Sequence, residues 1–261
     1  MNRSTVVQVL VFIAMFIACR SGAAQDDPKA EAVASLVKSL GYGGAIHHFK
    51  NYVLRGAPEN RDVAEKMFQQ ASEILVSLEA NHELSESEQA AVSAVALVVK
   101  DYQAQLPQVQ QLREQRKSVE EIDEEVMVDD SAAIAGIAVL REAHLWNDMQ
   151  QLDFHMGYGS GIHNFKNFVL RADEKYRARA LVGLSRVLFI VTRNREAPNL
   201  NEQQLSSLDG IESVVRAYET ALPKVQVLVG EGKTAQEIDE VVKVDDTPAL
   251  ESMALLRKAK P

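Results

Sequence analysis

A histidine, a lysine, an asparagine and an arginine share one helical stripe in this chain, and the stripe occurs twice. Residues 41–55 read GYGGAIHHFKNYVLR and residues 157–171 read GYGSGIHNFKNFVLR, identical at 11 of 15 positions. Taken as a helix opening near Gly43–Gly44, the first copy puts Ile46, Phe49 and Val53 on one face. His47, Asn51 and Arg55, four apart, fall on the adjacent face with Lys50 beside His47. The second copy repeats them as His163, Lys166, Asn167 and Arg171, and Tyr42 and Tyr158 stand in the glycine-rich approaches. Donors and cations behind a glycine-led helix start suit a carboxylate or another small anion, because exposed backbone N–H groups and the helix dipole favour negative charge there. The candidate ligand-binding residues are therefore Tyr42, His47, Lys50, Asn51, Arg55, Tyr158, His163, Lys166, Asn167 and Arg171. The alternative is a packing role. The glycines would then let two helices cross closely at a sharp bend, and the stripe would form an internal polar network with acidic groups of its own unit, such as Asp123, Asp129 or Asp130.

The acidic segment EIDEEVMVDD (121–130) also recurs, as EIDEVVKVDD (237–246). Glu121 and Glu237 read as capping-box partners, and Asp130 and Asp246 as helix caps. Asp123 and Asp239 have no local task, which makes salt bridges to the stripe their expected role. A metal site is the weaker expectation. The six histidines are 47, 48, 82, 144, 155 and 163, and none forms a His-x3-His helical pair. His48 becomes Asn164 in the second copy, so the motif does not require it. The chain has no Gly-x-Ser-x-Gly, no Walker-type loop and no nucleotide fingerprint. No catalytic residue, metal ligand or cofactor is assigned, and the reading is of a protein that is not an enzyme.

The elements that must position these residues are helices. An offset of 116 joins not only the two motifs but also Tyr102 to Tyr218, Leu106-Pro107 to Leu222-Pro223, and the two acidic segments. Apolar residues recur at three and four, as in Ala133, Ile134, Ile137 and Leu140. Ser85-x-x-Glu88 matches Asn201-x-x-Gln204, and Ser118-x-x-Glu121 matches Thr234-x-x-Glu237; both pairs are capping boxes. Pro107 and Pro223 suit the first turn of a helix. Each unit thus reads as a motif helix, longer helices near 60–80 and 85–104, a short helix from Pro107, a capped turn and a closing helix. Between Ser131 and Met156 no proline or glycine cluster interrupts the chain, so the first closing helix is expected to run on into the second unit. The expected fold class is all-α: two tandem helical-bundle repeats, residues 25–141 and 142–261, joined by a long shared helix.

The first 24 residues read as a secretory signal peptide, with Arg3 ahead of an apolar run from Val6 to Ala18 and small residues before a cut after Ala24. A rival reading makes Phe16–Cys19 a lipobox with Cys19 lipidated. The expected location is periplasmic or secreted. No other stretch is long and apolar enough to span a bilayer. Without its leader the chain has no cysteine, so no disulfide framework or thiol chemistry is expected. It then carries 26 basic and 37 acidic residues, a net −11 that argues against nucleic acid or anionic lipid as a partner.

The motif GYGG-x-IH-x-FKNYVLR, followed about 65 residues on by EID-x-x-V-x-VDD, resembles the extracytoplasmic N-terminal region of certain bacterial membrane signal transducers: diguanylate cyclases, chemotaxis transducers and sensor kinases. The resemblance covers both units. It implies a helical sensor-like module, which in those proteins precedes a transmembrane helix, and it carries no ligand with it. This chain departs from the pattern by holding two modules in tandem and no output domain. The expected function is a tandem sensor-like module that binds a small ligand or a membrane-bound signalling partner. The alternatives are a structural or protein-interaction module and, less favoured, a metal-binding bundle.

Overall fold

A computed structural model of the protein describes residues 27–142 and 147–258. The expected leader, with Cys19 and the cut after Ala24, lies outside them. The described chain is helical and contains no strand. In the first half the helices are α1 (Pro28–Leu40), α2 (Ala45–Arg55), α3 (Pro58–Asn81), α4 (Glu86–Glu114), α5 (Val119–Glu125) and α6 (Ser131–Glu142). In the second half they are α7 (Asp148–Met156), α8 (Gly161–Arg171), α9 (Glu174–Arg195), α10 (Glu202–Gly230), α11 (Ala235–Val242) and α12 (Thr247–Lys258). The starts of α2 through α6 recur 116 residues later as the starts of α8 through α12. Local chemistry sets these starts. Ser85, Ser118, Asn201 and Thr234 each accept a hydrogen bond from the backbone N–H three residues on, and the Glu or Gln there reaches back to the cap backbone, as the sequence predicts.

Two expectations about elements are corrected. The long shared helix from Ser131 to Met156 does not form, because a new helix begins at Asp148. Asn147 is extended (φ −73°, ψ 170°) and caps α7 in a reciprocal box with Gln150. The same Asn-x-x-Gln pattern starts α10. Pro107 and Pro223 do not begin helices either: each lies inside a 29-residue helix, α4 or α10. Both prolines are exposed, so the carbonyl that loses its intrahelical partner faces water.

The long helices form an outer layer. α4 packs along α6 and α3, and α10 along α12 and α9. The motif helices α2 and α8 pack against each other at the centre, where α5 and α11 also meet them from the opposite halves. Positions 45–54 and 161–170 are almost entirely buried, their polar residues included. The glycines explain how the halves come so close. A Cβ on Gly157 would lie 3.0 Å from the Tyr42 nitrogen and 3.1 Å from the Gly41 Cα. Gly43 and Gly159, at φ +70° and +77°, turn the chain through the left-handed region that favours glycine. Among the described residues no helix is long and apolar enough to cross a membrane.

Candidate functional site

The structure brings all ten predicted site residues to the seam between the halves. On α2, His47, Lys50, Asn51 and Arg55 face α8 and α11; on α8, His163, Lys166, Asn167 and Arg171 face α2 and α5. The lysines cross. Lys50 Nζ donates to Asn167 Oδ1 at 2.6 Å, and Lys166 Nζ donates to Asn51 Oδ1. The arginines also reach across. Arg55 forks onto the Asp239 carboxylate at 2.6 and 2.9 Å, and Arg171 onto Asp123 at 2.8 and 3.2 Å. His47 Nε2 lies 3.4 Å from Asp246 Oδ2, and His163 Nε2 lies 3.3 Å from Asp130 Oδ2. Each of these two aspartates anchors a pair of phenols, one from each half. Tyr42 and Tyr218 donate to Asp246 Oδ1 at 3.0 and 2.7 Å; Tyr158 and Tyr102 donate to Asp130 Oδ1 at 2.8 and 2.7 Å.

The salt-bridge role expected of Asp123 and Asp239 is present, with the opposite unit as partner. Pairing within one unit is corrected for the histidines and arginines, which meet the acidic segment of the other half, while Lys50 and Lys166 remain near the aspartates of their own halves. The capping role expected of Asp130 and Asp246 is also corrected. Their main-chain carbonyls open α6 and α12, but their carboxylates turn into the seam. Glu121 and Glu237 keep their capping-box role. Sequence reasoning left Tyr102 and Tyr218 out of the site. Their recurrence at the repeat offset was the available signal. His48, absent from the second motif, bonds Asn60 at 3.0 Å, while Asn164 in its place donates to the Gly159 and Ser160 carbonyls.

Burial makes this a network of charges that need one another. Lys50 and Lys166 are only 3% and 4% exposed. Four cations (Lys50, Lys166, Arg55, Arg171) meet four carboxylates (Asp123, Asp130, Asp239, Asp246), so the set balances with both histidines neutral. Burial holds the His47 imidazole far below its ordinary range, and the Lys166 charge adds to the effect. Burial lowers His163 too, against the pull of Asp130. Burial also pushes the Lys166 ammonium down to about 7 despite nearby Asp246. Burial opposes the Asp130 charge, yet the His163 hydrogen bond, the Lys50 cation and the Tyr102 hydroxyl hold its carboxyl at about 2. The four phenols are raised by burial and by the carboxylates they serve.

One ring nitrogen on each side is contested. Lys50 claims the Asn167 oxygen, which leaves the Asn167 amide nitrogen donating to His163 Nε2 at 2.9 Å. His163 Nε2 thus stands between the Asn167 amide and the Asp130 carboxylate, and its tautomer decides which of the two it bonds. Lys166 approaches His47 Nε2 at 3.3 Å in the same sense. Both Nδ1 atoms are buried without a protein partner. Both rings line a small cavity between the halves, together with Tyr42, Tyr158, Lys50 and Lys166, with a volume of about 10 Å³, room for about one water. Among the described residues no cluster of three or more His, Cys, Asp or Glu could hold a metal ion. Comparison with known proteins gives no match: no protein-family model, no curated protein and no solved structure is similar to this chain.

Proposed function

We propose that the protein is a non-catalytic helical module of the sensor-like kind, acting by contact with a protein partner. In this reading the repeated motif is an ionic clasp between its two halves, and the resemblance to transducer sensor regions makes a membrane-bound signalling protein the expected partner. The observation that supports it is the crossed pairing. Each charged side chain of one motif is bonded to, or lies beside, polar groups of the opposite half, and the histidines and lysines do so around a space that admits about one water. The histidines and lysines so enclosed serve the contact between the halves. A clasp of this kind holds two lobes in one arrangement and gives way as a unit, which is what a relay of partner contact requires.

A second reading rests on the unpartnered Nδ1 atoms of His47 and His163. Buried ring nitrogens without a partner favour a small polar group in the cavity between them. A thermal-shift screen of the chain from Gln25 onward against organic acids, amino acids, inorganic anions and divalent metals separates the two, with His47→Ala/His163→Ala alongside. The clasp reading expects no ligand to raise the melting temperature. It expects the variant to melt lower by about 1–3 kcal/mol for each partner left unsatisfied. A ligand that raises the wild type by several degrees and leaves the variant unmoved overturns the clasp as the motif's main role. Such a rise corresponds to about 2.7 kcal/mol at a hundredfold excess over Kd.

A further inference from the structure

The halves agree at the seam and diverge on their outer helices. α9, residues 174–195, carries six basic residues against one acidic; its counterpart α3, residues 58–81, carries two basic against five acidic. The seam uses none of these charges. Lys175, Arg179, Val182, Arg186, Phe189 and Arg193 follow a spacing of four and three along α9, which at 100° per residue keeps them within about 80° of arc over roughly 27 Å. All six are exposed, Val182 at 62% and Phe189 at 63%. The counterparts on α3 are Glu59, Val63, Lys66, Gln70, Glu73 and Ser77, a mixed and partly acidic face. Ion pairing on the stripe is confined to its ends, where Lys175 bridges Asp173 at 2.6 Å and Arg193 bridges Asp148. Arg179 and Arg186 make no ion pair among the described residues, and the basic neighbours of Arg186 include Arg141 and His155.

We infer that this outer face of α9 docks the protein on an anionic lipid surface, with the basic residues facing phosphate headgroups and Phe189 and Val182 dipping between them. A stripe of cations around two exposed apolar residues is the pattern of peripheral membrane contact. The apolar groups also favour lipid over an acidic protein. They stand about 10 Å apart at i and i+7 as isolated projections, whereas a stable protein interface buries a contiguous patch of roughly 800 Å² on each side. A bilayer surface needs only diffuse negative charge and places for single side chains to enter. The net charge of −11 argues against anionic lipid for the chain as a whole, but the acidic excess does not lie on this face. Opposing charges on distant faces are screened beyond about 8–10 Å at physiological salt, so the local face decides.

The test is co-sedimentation of the chain from Gln25 onward, which contains every described helix, with vesicles of phosphatidylcholine alone or with added phosphatidylglycerol. Binding to the mixed vesicles should be at least about ten times tighter than to phosphatidylcholine and should fall steeply with salt. Arg179→Glu/Arg186→Glu should weaken it by about 30-fold or more while melting like the wild type, because both residues are exposed and unpaired. Phe189→Ser should weaken it several-fold. Lys66→Glu, on the equivalent face of α3, should leave it unchanged. Equal binding to both vesicle types, binding to neither, or full binding by the double arginine variant would overturn the inference. Arginine-dependent capture by polyglutamate without vesicle binding would also overturn it, by assigning the face to an acidic protein.

Discussion

Lys50 and Lys166 are buried ammonium groups, each held by an asparagine of the other half and by the nearby aspartates of its own half. Removing a buried charge leaves its partner desolvated and unpaired, which costs about 3–5 kcal/mol. Lys50→Met should therefore destabilise the protein by about that much, and Asp130→Asn by a comparable amount. Chemical denaturation of the two singles and the double should show strong non-additivity, the double costing less than the sum. Additive losses would show that the lysine and the aspartate do not depend on each other. The sequence shows half of this. Asp123 and Asp239, acidic residues without a cap to make, point to the stripe as partners. Nothing in the residue types says that Lys50 is covered on all sides.

Among the elements, α4 and α10 show the limit of punctuation rules. Proline at 107 and 223 reads as a helix start, yet the helices run through it because Leu106, Val109 and Leu112 on one side, and Leu222 and Val225 on the other, continue the buried stripe. Tertiary burial outweighs one lost backbone bond on the solvent face. Pro107→Ala should then stabilise the protein by about 2 kcal/mol, the helix penalty of proline less the entropy it removes from the unfolded chain. A lower melting temperature for this variant would mean that the bend at Pro107 is needed to seat α4 on α6. The break before α7 has the opposite lesson. Asn147-x-x-Gln150 is a capping box written in the chain, the same signal as Asn201-x-x-Gln204, but an unbroken apolar period between Ser131 and Met156 conceals it.

At the scale of the molecule the seam makes stability depend on pH. Lys166 is held at about 7 when folded and returns to its ordinary 10.5 when unfolded. Between those values the unfolded chain binds more protons, so stability falls as pH drops from about 10 to 7. His47 and His163 are held below 6.5, so below that pH the unfolded chain again binds more protons and stability falls further. Lys166, Asp246, Tyr42 and His48 surround His47, and Asp130, Tyr158, Asn167 and Lys50 surround His163, so neither ring gains a new carboxylate when charged. Differential scanning fluorimetry should show a lower melting temperature at pH 5.5 than at pH 8. His47→Gln/His163→Gln should shrink the part of that drop lying below pH 6.5. An unchanged melting temperature across this range would show that the rings are not buried neutral groups.

The chain by itself dictates the helices, most of their starts, and the residue types that must find partners: repeated apolar periods, reciprocal caps, and a cationic stripe matched by an acidic segment. It does not say which acidic segment. Asp123 and Asp239 sit in nearly identical surroundings, as do Asp130 and Asp246, so pairing within a unit and pairing between units are written the same way. Only the packing of α2 against α8, made possible where Gly41 and Gly157 meet, puts each motif beside the other half's aspartates. The same packing encloses the lysines and histidines. Burial depends on what covers a helix from every side, and a helix carries no record of its neighbours beyond the face it leaves apolar.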